Sequence, residues 1–354
     1  MTPSHSKQKK HRRVWIIILV AILAALLIPP ATLSILYYNG QRQWQNADAV
    51  PSSPSSLVER VEDEGETVVY GGKTYVYNHD RVAVLFLGVD KEDIHRDFGY
   101  GRNGQADSLF LFVLDTKTGK SFILPLSREA MVDVDQYTVS GGFGGTKKEQ
   151  LCLAYAYGAT GDESCRNVLT SVNRLLYGMN IENYVAIDLA GVTKMTDAVG
   201  GVTLITDKPY TYSGKTVAAG SKLTLNGSEA KQFVQSRDYS VEANMDRMAR
   251  QKLFLNAFYQ RIGEKIKKNF SLLNSYYQTA KPYIVTNLSL SEITYLGGCV
   301  VGGAHLSSPT YLSIEGKTVD GKAHSEFHPD SRSVYEAVLA AFYTEKQPDD
   351  QLVN

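Results

Sequence analysis

Cysteine is scarce in this 354-residue sequence. Three occur, Cys152, Cys165 and Cys299, and none belongs to a C-x-x-C pair or a Cys/His cluster, which excludes a zinc site of the usual spacing. Two readings stay open for them: a local disulfide between Cys152 and Cys165, or three buried thiols acting as small apolar residues. Net charge is also missing, since 37 basic residues balance 37 acidic ones, so nothing points to nucleic acid as a partner. There is no G-x-S-x-G elbow for a serine nucleophile. The stretch SGGFGGTKKE after Arg128 lacks the GK[ST] ending of a phosphate-binding loop and reads as a glycine loop with a mobile tip. His324 and His328 are four apart, but Pro329 and polar neighbours argue against a helix presenting both to a metal. No internal repeat is present, and the 22 tyrosines are scattered.

What charge there is lies unevenly. Lys7, Lys9, Lys10, His11, Arg12 and Arg13 precede an apolar run over residues 14–28, which continues past Pro29 and Pro30 to Tyr38. That is long enough to cross a hydrocarbon core, and Trp15 at one end with Tyr37 and Tyr38 at the other suit the two interfaces. The run is too long for a cleaved signal peptide, and no A-x-A site follows closely. The expectation is therefore a basic cytoplasmic tail (1–13), an uncleaved signal anchor in the cell membrane (14–38), an extracellular stalk (39–80), a globular domain (81–345) and a short tail (346–354). The stalk carries Pro51-Ser-Ser-Pro-Ser-Ser, an acidic patch from Glu59 to Glu66, and a possible hairpin in VVYGGKTYVY around Gly71-Gly72.

The domain opens with three apolar runs of strand length, VAVLFLGVD, ADSLFLFVLD and SFILPL, spanning residues 82–126 and separated by turn residues. Helical spacing begins near Gln150, with Val168, Leu169, Val172, Leu175 and Leu176 on one face and Gly178 as C-cap. A strand at 184–189, a helix at 190–199, a strand at 202–206, a helix from Asn226 to Arg237 and a long amphipathic helix at 245–268 follow. The remainder holds a helix at 288–297, a polar β-like segment and a last helix near Ser333, with no core of its own. Alternating strands and helices argue for one α/β layered domain.

Polar residues at the ends of the first runs supply the candidate chemistry. Asp90 closes the first run, Asp107 opens the second and Arg128 follows the third, so one sheet end could gather two carboxylates and a cation. Arg247 and Arg250 share a face near a helix start, a poor place for cations unless an anion docks there. Guanidinium forks suit phosphate oxygens, and Mg2+ usually binds one or two carboxylates together with substrate phosphates. With Arg237 included, the set is equipped for a diphosphate. Taken singly, each Asp is more often a turn former and each Arg a solvated face.

The motifs LFLGVD, ADSLFLFVLDTKTGK, ILPLSRE, LAYAYG, NYVAIDLAGVTKMTDAVGGV, LNGSEAKQFVQSR and DRMARQ stand in the order of the LytR–CpsA–Psr family, which the chain resembles over roughly residues 82–262. The resemblance implies an α/β fold with a mixed central sheet flanked by helices. It also implies an elongated apolar cavity for a polyprenyl chain with the diphosphate at its mouth, and transfer of a glycopolymer from that carrier to peptidoglycan. Asp90 and Asp107 match the family's metal-linked aspartates, for Mg2+ or Mn2+. Arg128, Arg237 (second of an R-x-R pair), Arg247, Arg250 and Gln251 match its diphosphate-binding residues. The sequence departs from the family in three places: Gln105 and Gln235 stand where arginines are usual, and Glu129 where an aspartate is. The two glutamines remove positive charge, and Arg102 is the candidate to compensate. Asp107 and Asp238 are the candidates for a general base. The alternatives are a non-catalytic lipid-diphosphate binder or regulator, favoured by the missing arginines, and a diphosphate hydrolase.

Overall fold

The computed structural model describes residues 31–44, 57–236, 243–303, 309–321 and 324–346. The basic tail, most of the expected anchor, Arg237 and Asp238 lie outside them. Among the described residues no helix is long and apolar enough to cross a membrane.

The three leading runs become antiparallel neighbours at the centre of a six-stranded sheet. Its order is Ile284–Thr286, Asn183–Asp188, Arg81–Val89, Ala106–Asp115, Ser121–Leu126, Thr310–Tyr311. Asn183–Asp188 runs parallel to Arg81–Val89, and Thr310–Tyr311 parallel to Ser121–Leu126, while the other pairs are antiparallel. The sheet is mixed, as expected.

Period-two alternation divides the central strands between two layers. Leu85, Leu87, Val89, Leu109, Leu111 and Val113 face one core, with helix α2 (Gly161–Leu175) and helix α8 (Ser331–Phe342) over them. Val84, Phe86, Phe112 and Leu114 face the other side, where helix α1 (31–44) and helix α7 (Leu290–Gly302) cover part of the sheet. Phe86 and Phe110 are direct cross-strand partners with rings stacked 5.0 Å apart.

Helix starts follow their capping residues. Asp188 caps α3 (Leu189–Ala198) by accepting from Gly191 N–H, and a capping box between Asn226 and Glu229 opens α4 (Gly227–Gln235). Helix α5 (Ala243–Lys268) crosses the cavity side of the sheet and is followed by α6 (Leu272–Ala280).

The sequence expectation differs from the structure in three places. Residues 57–80 are no stalk: Arg60–Glu62, Thr67–Tyr70 and Lys73–Tyr77 form a sheet that the last strand, Tyr343–Glu345, completes. The hairpin inside it does turn at Gly71-Gly72, both with positive φ. Its burial of Val68 and Tyr343 explains why a polar-looking segment folds back on the domain. The glycine loop after Arg128 is a hairpin, Met131–Tyr137 paired with Phe143–Gln150. Cys152 and Cys165 are buried and unbonded, which corrects the disulfide reading. Cys152 Sγ is turned to the Arg128 guanidinium at 3.4 Å, and Cys165 is buried in the apolar core under α2.

Candidate active site

Asp107 owes its direction to a β-bulge. The register runs Gly88 opposite Ser108 and then Val89 opposite Ala106, leaving Asp107 as the extra residue. Unbroken alternation would send its side chain into the apolar layer with Leu109 and Leu111. The bulge instead puts Ala106 in that core and Asp107 at the rim of the opposite face. Asp90, one residue beyond Val89, reaches the same rim, its N–H directed at Gln105 O at 3.4 Å. The loop between them is braced by buried Asn103, which takes Phe98 N–H and donates to Gly158 O, and by Lys91, whose ammonium donates to Ile94 O and Arg96 O. Burial lowers the Lys91 pKa.

Behind this rim lies a cavity of about 640 Å3. Phe86, Phe110, Phe112, Leu255, Phe258 and Ile262 are among its apolar walls, and Asp90, Asp107, Arg128, Gln235, Arg247 and Gln251 gather at its polar end. Asp107 lies 3.2 Å from Arg128 Nη2 through one oxygen and 3.6 Å from Arg247 Nη1 through the other. All three side chains are under 20% exposed (19%, 14% and 5% for Asp107, Arg128 and Arg247), so the charges interact with little screening by water. Arg128 Nη2 also donates to Gln105 Oε1. No group among the described residues accepts from its buried Nε. Burial pushes the Cys152 thiol up against the pull of Arg128, so at neutral pH it is an uncharged neighbour and no nucleophile.

Three expected site residues are placed elsewhere or unseen. Arg102 is exposed and does not line the cavity, so it does not replace the missing guanidinium. Arg250 is fully buried. It donates to Ser236 O, just past α4, and lies 5.8 Å from the Tyr210 ring, tying α5 to the end of α4. Arg237 is outside the described residues. Sequence reasoning missed Cys152 as a partner of Arg128 and the individual cavity walls. Even-numbered aromatics in the first two strands were the available signal for the walls.

The described residues hold no group of three or more His, Cys, Asp or Glu suited to a metal. Asp90 and Asp107 provide two carboxylates at one rim, which fits a divalent cation whose remaining ligands are phosphate oxygens and water.

The model of the LytR_cpsA_psr family matches residues 51–337. The chain is 25% identical over 251 residues to polyisoprenyl-teichoic acid–peptidoglycan teichoic acid transferase TagU of Oceanobacillus iheyensis, covering 71% of each chain. Its fold matches the crystal structure of Bacillus subtilis TagV with a TM-score of 0.57 at 23% identity, over 74% of this chain and 95% of that one. It also matches a structure of TagT bound to LI-WTA, with a TM-score of 0.54 at 19% identity, over 74% and 89%.

Proposed function

The chain belongs to the LytR–CpsA–Psr family, and from that premise we propose that it transfers a glycopolymer of teichoic-acid or capsule type from a polyprenyl diphosphate carrier to peptidoglycan. One observation carries the reading: an apolar cavity of about 640 Å3 ends in Asp107 clasped between Arg128 and Arg247. A hydrocarbon chain joined to a diphosphate has this polarity pattern. The TagU relative's name, with its polyisoprenyl-linked donor and peptidoglycan acceptor, supports the same substrate class.

Arg128, Arg247, Gln235 and Gln251 bind the diphosphate at the mouth, while the aromatic walls hold the lipid and exclude water. A hydroxyl of a peptidoglycan sugar attacks the sugar-linked phosphorus. The new P–O bond forms as the bond to the bridging oxygen breaks, and polyprenyl phosphate leaves with the electron pair. The guanidiniums stabilise the negative charge on that leaving group. Asp107, at the cavity mouth, is our candidate among the described residues to take the hydroxyl proton. Asp90 and Asp107 would hold Mg2+ or Mn2+, whose chemistry is to neutralise charge on the phosphoryl oxygens. The apolar run over residues 14–28 would anchor the chain with the domain outside the cell membrane, where carrier and acceptor meet; Tyr37, expected at the outer end of that anchor, packs instead on α7 of the domain.

The full chain with a lipid-linked glycopolymer, a glycan acceptor and Mg2+ tests this. Asp90→Ala, Asp107→Ala or chelator lowers product by on the order of a hundredfold or more. Product indifferent to all three removes the metal reading. Tight lipid binding without turnover favours a binder or regulator, the role suggested by Gln105 and Gln235 in place of arginine. Release of polyprenyl phosphate without transfer to glycan favours a hydrolase.

A further inference from the structure

Helix α1 is locked to the domain. It runs antiparallel to α7, with Tyr37 against Gly298 and Tyr295, Gly40 against Ser291, and Gln43 accepting from Ser289. A methyl group on Gly40 would lie 2.1 Å from Ser291 O, so nothing larger than glycine permits this approach. The start of α1 therefore lies toward the C-terminal end of α7. There, Gly303 touches the backbone of Gly119 in the turn before Lys120, and Phe270 approaches Gly298. Around that spot Ile35 (59%) and Tyr38 (63%) are exposed on α1, and Lys120, Lys267 and Lys268 are exposed beside it. Lys117 is excluded from this group because Asp80 pairs with it at 2.8 Å.

We propose that this corner, formed by the start of α1, the turn at Lys120 and the junction of α5 with α6, rests flat on an anionic lipid bilayer. Two observations select that occupant. The apolar run over residues 14–28 leads through Pro29 and Pro30 straight into α1, so the chain reaches the corner from an apolar segment. Exposed apolar side chains flanked by exposed lysines, of which Lys120 lies over the Phe122 ring, match the boundary between acyl chains and acidic headgroups. The contact also orients the cavity. Phe112 and Tyr259 line it and pack on the cluster that holds Trp44, Tyr295 and Cys299 under α1. Its apolar end is thus nearest the bilayer and its charged mouth farthest. This orientation rests on the proposed lipid-carrier function, while the contact itself does not.

The full chain is reconstituted in nanodiscs with Ser271→Cys, or Val139→Cys on the distant hairpin tip, carrying a fluorophore; the native cysteines are buried. Headgroup-linked quencher lipids report proximity. In phosphatidylglycerol discs the label at 271 is quenched and the label at 139 is not. Phosphatidylcholine discs, or Lys120→Gln with Lys267→Gln and Lys268→Gln, reduce quenching at 271 by about threefold or more. Quenching at 271 that does not exceed that at 139, or that ignores lipid charge and the three lysines, overturns the proposal. Binding of a short-chain polyprenyl diphosphate in detergent is measured separately. Binding with an unquenched label overturns the bilayer contact alone. Quenching without binding supports the contact and removes the carrier reading.

Discussion

Gln105 accepts from Arg128 Nη2 through its side-chain oxygen, and Asp107 pairs with the same nitrogen, so this glutamine acts as a positioning partner of the guanidinium. From sequence, Gln105→Arg restores a lost charge and raises turnover if that charge matters, or leaves it unchanged if Arg102 or another cation already supplies it. The structure reverses that sign: two guanidiniums would face each other with one acceptor fewer. Gln105→Arg lowers turnover by roughly tenfold, and Gln105→Glu, which keeps an acceptor, retains more of it; steady-state transfer rates at saturating donor check both. Asp90, Asp107 and Arg128 were legible as a group because each borders an apolar run. The aim of Asp107 was not legible, since a bulge depends on two strands in register and leaves no periodic mark in one. The role of Arg250 was hidden for a related reason. Its three-residue spacing from Arg247 gives a shared helix face, and which of the two reaches the mouth is decided by Ser236 and Tyr210, which come from other elements.

At the scale of elements, the hairpin rooted beside Arg128 is fastened to α2 by a bidentate pair, Arg174 with Asp135 at 2.8 and 2.9 Å. The Arg174 hydrogen bond is the chief cause holding the Asp135 carboxyl below its ordinary 3.8. A depressed carboxyl stabilises the fold above its unfolded pKa, and the contribution fades as pH falls through the folded value. Asp135→Asn therefore costs about 0.5–1 kcal/mol at neutral pH, a modest figure because Arg174 is 40% exposed. Its melting temperature converges with that of the unaltered chain as pH falls below the ordinary carboxylate value of 3.8 and through the lower folded-state value. Removing the α4 cap with Asn226→Ala costs about 1 kcal/mol in denaturant midpoint and leaves the site chemistry in place. Most elements were readable from capping residues and periodicity: α3 and the strand before it begin within a residue of expectation. The hairpin at 131–150 was missed although its first strand, MVDVDQY, alternates with Val132 and Val134 buried; the glycines and lysines of its second strand carry no such mark, and the pairing is set by Ala130 and Arg128 at its root.

At the scale of the molecule, the error that matters most concerned the domain's beginning. A fragment starting at Arg81 would lose three strands of the small sheet, buried Val68 among their residues, and leave Tyr343 without its partner strand. Such a fragment melts roughly 5–10 °C below one that starts at residue 57, as thermal unfolding followed by circular dichroism would read. Composition could not reveal this, because a short polar hairpin becomes structural only when a distant strand meets it. Tyr343 donates its hydroxyl to Gly65 O across 278 residues of sequence. For a chain that emerges from its N-terminus, the first sheet of the domain is therefore the last to close. Until Tyr343 arrives, the hairpin is an open edge exposing apolar surface, and the interval before closure, set by the time to produce the whole chain, is when this protein is most open to proteases and to aggregation.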